Sequence, residues 1–154
     1  MIQIVNFTNN NRSFIAGLGA FRVLEYVEDI SVSPSTAMQE YYKAEMNVRR
    51  KQLVIELNGS NSAVIQAGAM QWYTGNLQST TGVKGVGDFV GKLFKGAVTK
   101  ESAIKPEYTG VGTLVLQPTY KHILLQDVSA WGAQGMSIHD GMFLAADNNV
   151  NIGV

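Results

Sequence analysis

Apolar and polar positions alternate with a period of two over several short stretches of the chain, the pattern of strands that turn one face to a core. Ile2 and Ile4 alternate with polar neighbours until Asn9-Asn10-Asn11 marks a turn. Phe14-Ile15 and the run Phe21 to Val27 follow, separated by Gly17 and Gly19, and the second run reads as a half-buried strand. Leu53, Ile55 and Leu57 alternate with Val54 and Glu56; Asn58-Gly59 is a tight-turn signal, and Ala63 to Gln66 resumes the strand. Residues 52–74 are therefore expected to form a hairpin, with Gly68 at a bulge or close backbone approach and Thr74-Gly75-Asn76 as the next turn. Strands return over 107–152: Tyr108 to Gln117, stopped by Pro118, then His122 to Leu125, Gly135 to Ile138, and Met142 to Ala146. Asp140-Gly141 and Asn148-Asn149 punctuate them.

Two stretches switch to the helical period. In 33–48, Ser33-Pro34 suits a first turn, and Ser35 or Thr36 suits a cap. Met38, Tyr41, Tyr42 and Met46 fall on one face, with Glu40, Lys43 and Glu45 on the other. The basic triplet Arg49-Arg50-Lys51 reads as helix-end charge followed by a solvated strand start, with an anionic-ligand site as the alternative. In 82–97, Val83, Val86, Phe89, Val90, Leu93 and Phe94 form one apolar face, and Lys84, Lys92 and Lys95 lie off it. Its internal glycines each cost about 1 kcal/mol relative to alanine, so such a helix needs something packed on Phe89, Leu93 and Phe94.

Short strands at about 8–12-residue spacing predict an all-β fold, a β-sandwich or double-stranded β-helix with one or two short helices. Residues 51–154 are read as the sandwich domain, and residues 1–50 as N-terminal strands and a short helix packed on it or extending it. The chain has 154 residues, 45% of them hydrophobic, enough for a packed interior and too many for disorder. Twelve basic residues balance twelve acidic ones, which argues against a dedicated nucleic-acid binder and leaves little repulsion between copies. The absence of cysteine removes disulfides, thiolate catalysis and cysteine-bound zinc. No stretch approaches the roughly 20 apolar residues of a membrane-spanning helix, and Met1 to Phe7 lacks the basic start of a signal peptide. By elimination the expected location is cytoplasmic, with a place peripheral to a membrane as the variant.

Five blocks in order give the chain a family likeness. Strand-turn-strand leads into Gly68-Ala69-Met70-Gln71-Trp72-Tyr73-Thr74-Gly75; a Gly-rich amphipathic helix follows; then come Lys100-Glu101-Ser102, Tyr108-Thr109-Gly110-Val111-Gly112 with a strand ending at Gln117-Pro118, and Phe143-Leu144-Ala145-Ala146-Asp147. From about Leu53 to Ile152 the chain resembles the altered-inheritance-of-mitochondria protein 24 family. That resemblance implies a β-sandwich similar to the tryptophan-RNA-binding attenuation protein, often duplicated, in an oligomeric assembly. It implies no established reaction, and an association of mitochondrial members with inner-membrane organisation. Two features depart from the family pattern. Ala103-Ile104 stands where an aromatic pair usually follows Glu-Ser, and the chain ends soon after the last matched block, which fits either a fragment or a short relative.

Reactive chemistry finds little support. A cupin-type metal enzyme needs two or three histidines and a carboxylate converging on one ion; only His122 and His139 are present, with Asp127 and Asp140 to complete a set. Ser137 and His139 share a strand face, a common arrangement, and there is no Gly-x-Ser-x-Gly elbow. Gly82 to Gly87 lacks the Lys-Ser/Thr ending of a phosphate loop. Trp72, Tyr73 and Trp131 are candidate stacking surfaces with little basic charge around them, so nucleic acid is not expected as a partner. The segment Lys84–Lys105 carries five lysines against Asp88 and Glu101, a local charge of +3, and suits an anionic membrane surface contacted by Lys84, Lys92 and Lys95. The favoured reading is a non-catalytic, homo-oligomerising scaffold or assembly module with no cofactor or metal. Its candidate contacts are Met70, Trp72, Phe89, Leu93 and Phe94. The membrane-surface organiser and, further back, the cupin-like enzyme are the alternatives.

Overall fold

The computed structural model describes residues 4–28, 31–80, 105–139 and 141–153. Their elements are β1 (Arg12–Leu18), β2 (Phe21–Tyr26), α1 (Ala37–Glu45), β3 (Lys51–Asn58), β4 (Ala63–Ile65), β5 (Met70–Thr80), β6 (Glu107–Leu116) and β7 (Ala145–Asp147), with a 3-10 stretch at Val128–Gln134 broken by Gly132. Seven strands make one antiparallel sheet in the order β1-β2-β3-β6-β4-β7, with β5 on the other edge of β6. The chain is thus mostly β: a curled, open half-barrel with two short helical pieces among the described residues.

The larger core lies on one face. Val23, Leu53, Ile55, Leu57, Ile65, Leu77, Tyr108, Leu114 and Leu116 are buried in one cluster, and Met70, Ile123, Leu125 and Leu144 pack on it. Leu24, Val54 and Val115 are buried on the opposite face under Phe7, Tyr26 and Trp72. Burial on both faces explains why Leu53-Val54-Ile55 is apolar without interruption. Cross-strand pairing fixes which side chains meet: Leu24 faces Gln52, Glu25 faces Lys51, and Val54 faces Val115. The N-terminal strands join this sheet directly, through β2 on β3.

Several expectations need correction. The 52–74 hairpin does not form: β3 and β4 lie end to end along one edge of β6. Asn58 pairs with Val111 and Ala63 with Tyr108, so five steps on one side oppose three on the other. Asn61 stabilises the excursion, its Oδ1 accepting from the Asn58 N–H (2.9 Å) and its Nδ2 donating to the Glu56 carbonyl (3.2 Å). The turn expected at Thr74-Gly75-Asn76 is instead the interior of β5, paired residue by residue with β6.

His122–Leu125 and Gly135–Ile138 are not strands, and Met142–Ala146 contributes only the first part of β7, Ala145–Asp147. Ile123 and Leu125 do point into the core while His122 and Leu124 are exposed. Alternation there reports which way side chains face, not backbone pairing. Ile4 to Phe7 is likewise not a strand. The α1 helix forms within 33–48, yet none of its residues is buried.

Candidate functional site

The histidines come first, because an enzyme would need them. His122 and His139 are both exposed, and no three His, Cys, Asp or Glu side chains among the described residues converge where a metal could sit. Asp127 is engaged locally: its Oδ1 accepts from Ser129 Oγ (2.6 Å) and the Ser129 N–H (3.0 Å), which hold its carboxyl below the usual carboxylate range. Asp140 lies outside the described residues. Ser137 and His139 stand on an exposed segment that is not a strand, so a shared strand face no longer relates them.

Met70 is half-buried against the larger core, and Trp72 against the smaller one, its ring edge-on to Phe7 with centroids 6.1 Å apart. Tyr73 is exposed beside Tyr108, whose hydroxyl is pushed up by burial and then by Tyr73. Phe89, Leu93, Phe94, Lys84, Lys92 and Lys95 lie outside the described residues.

α1 is attached through its polar side. Glu40 pairs with Lys43 (2.9 Å) and accepts a hydrogen bond from the Tyr120 hydroxyl, while the Lys43 ammonium sits 3.8 Å from the Tyr120 ring centroid. The opposite face looks outward: Met38 is 73% exposed, Tyr41 61%, Tyr42 59% and Met46 73%. Further apolar side chains, Phe14, Ile15 and Leu18, stand exposed on β1, an edge strand paired only to β2 among the described residues. The eleven-residue β5 is paired only to β6 among the described residues.

On the face of the smaller core lies a cavity of about 550 Å³. Its walls are the N-terminal segment with Phe7 and Arg12, the end of β2 at Tyr26, the start of β3 at Arg50 and Gln52, and the start of β5 at Trp72. Gln52 is 4% exposed. It accepts from the Tyr26 hydroxyl and donates to Gln71 Oε1 (2.6 Å) and the Leu116 carbonyl (3.0 Å). Arg12 Nη2 donates to the Asn6 carbonyl (2.7 Å), and its guanidinium lies 5.9 Å from the Tyr26 ring centroid. Arg50 Nη2 donates to the Tyr120 hydroxyl (3.3 Å) and Nη1 to Ser31 Oγ (3.4 Å). No carboxylate lines the cavity among the described residues.

The basic triplet therefore divides. Arg50 faces the cavity, whereas Lys51 is buried in β3 and paired with Glu25 (3.0 Å), not solvated. Arg12, Tyr26, Gln52 and Gln71 escaped sequence reasoning. The one available signal was Gln52 standing directly before the uninterrupted apolar run Leu53-Val54-Ile55.

The family model for mitochondrial biogenesis AIM24 matches residues 42–154, from within α1 through β7. No curated protein and no solved structure matches the chain. The model spans well over half of the sequence and includes the Gly-Ala-Met, Glu-Ser and Tyr-Thr-Gly blocks, so the chain belongs to the AIM24 mitochondrial biogenesis family.

Proposed function

We propose that this AIM24-family protein is a non-catalytic assembly module whose copies associate through the outward face of α1 and the open sheet edges. The observation that carries the reading is the orientation of α1: it is anchored by Glu40 and Lys43 and leaves Met38, Tyr41, Tyr42 and Met46 to solvent. A helix that turns its apolar side away from its own core leaves that side for a partner. Two further features favour a second copy as that partner. The balance of twelve acidic and twelve basic residues gives little repulsion between chains. Among the described residues, the edges at β1 and β5 leave main-chain donors and acceptors that another strand can satisfy. Glu45, exposed on the helix, disfavours an anionic lipid surface as that partner.

Light scattering coupled to size exclusion, at several protein concentrations, tests this. The expected result is a mass above the 16.7 kDa of one chain that rises with concentration, and a return toward one chain in Met38→Glu/Tyr42→Glu. A strict monomer at every concentration overturns it.

A further inference from the structure

We infer that the cavity beside Trp72 binds a small organic anion with a planar apolar body. Its volume, about 550 Å³, lies in the range of small-molecule sites. Its polar surface is biased toward donors. Gln52 Oε1 is taken by the Tyr26 hydroxyl, Gln71 Oε1 by Gln52, Asn11 Oδ1 by the Glu28 N–H, and Asn9 Oδ1 by the Asn11 N–H. The amide nitrogens of Asn9 and Gln71 have no acceptor among the described residues, and both residues line the cavity.

Arg12 carries the argument furthest. Its contacts are a neutral carbonyl and an aromatic ring, and its Nε is buried with no hydrogen-bond partner. No carboxylate among the described residues neutralises this guanidinium, and an anion in the cavity does. Arg50 adds a second guanidinium to the cavity lining, held in place by Tyr120 and Ser31. Phe7, Tyr26 and Trp72 supply ring surfaces on which a planar body can lie. The shared chemistry is therefore an anionic head, carboxylate or phosphate, on a flat apolar frame.

Calorimetric titration of the whole chain tests this with matched pairs: 2-naphthoate against 2-naphthalenemethanol, adenosine 5′-monophosphate against adenosine, and inorganic phosphate alone. The expected result is that one of the two organic anions binds at one per chain, with its neutral twin and inorganic phosphate at least about tenfold weaker. Which anion binds separates the carboxylate from the phosphate head. Arg12→Gln should weaken binding at least about tenfold. Asn9→Asp, a charge placed on an exposed turn where folding is little affected, should weaken it in the same direction. If neither organic anion binds at millimolar concentration, the inference fails. It fails equally if the neutral twins bind as tightly, or if both variants bind like the parent chain. Stoichiometry is counted per chain, so failure here leaves the assembly reading untouched.

Discussion

Gly112 sets how closely β5 can approach β6. A Cβ placed there would collide with the carbonyl oxygen of Thr74, and one on the facing Gly75 would come within 2.7 Å of Gly112 Cα. Both obstacles are backbone, so no side-chain rotation relieves them. Gly112→Ala should cost about 1–3 kcal/mol, read as a lower denaturant midpoint. Gly153→Ala, with nothing within 4 Å, should stay within about 0.5 kcal/mol. Equal midpoints for the two variants would show that the β5–β6 approach is not steric. This explains why Thr74-Gly75-Asn76 misleads as a turn signal: glycine there permits close strands, not reversal. At the cavity, Arg50 was legible from the basic triplet, with an anionic ligand among the readings it allows. Arg12 and Gln52 were not, because they meet only through the register of β2 on β3 and the path of residues 4–11, which no local pattern encodes.

At the level of elements, periodicity found α1 but could not say which side it would bury. Amphipathic spacing makes an apolar attachment the default. Here the attachment is polar and long-range, from Glu40 and Lys43 to Tyr120, eighty positions away along the chain for Glu40. Tyr120→Phe keeps the ring under Lys43 and removes the hydroxyl that donates to Glu40 and accepts from Arg50. The expected outcome is faster amide exchange across Ala37–Glu45, with β3 and β6 keeping their protection, and a global loss of about 1 kcal/mol. Unchanged exchange in α1 would mean that the phenol does not anchor the helix. Strands followed the same division. Those stretches whose alternation coincided with a pairing partner formed, as in β3 and β6. Ile123 and Leu125 alternate equally well, but they lie on the core without a ladder.

For the whole molecule, class was legible and topology was not. Alternating apolar positions, sixteen glycines and three prolines point to strands. That β6 would take β5 on one edge and both β3 and β4 on the other depends on contacts far apart in sequence. Among the described residues, the result is a sheet with open edges at β1 and β5 and with apolar side chains exposed on β1 and α1. These features together decide what kind of force should join two copies. The outward face of α1 presents Met38, Tyr41, Tyr42 and Met46, and β1 presents Phe14, Ile15 and Leu18, none of them charged. The chains also carry equal numbers of acidic and basic residues. Association through such surfaces is apolar, with main-chain hydrogen bonds at the edges, and neither contribution depends on long-range charge. Raising salt from about 0.1 M to about 1 M shortens the screening length from about 10 Å to about 3 Å. An interface built on ion pairs would dissociate over that range, whereas this one should hold, and sulfate should strengthen it by favouring apolar burial. Sedimentation velocity at fixed protein concentration across the salt series therefore identifies the force: constant or rising mass supports apolar assembly, and a fall toward 16.7 kDa assigns the contact to charge and removes α1 as its basis.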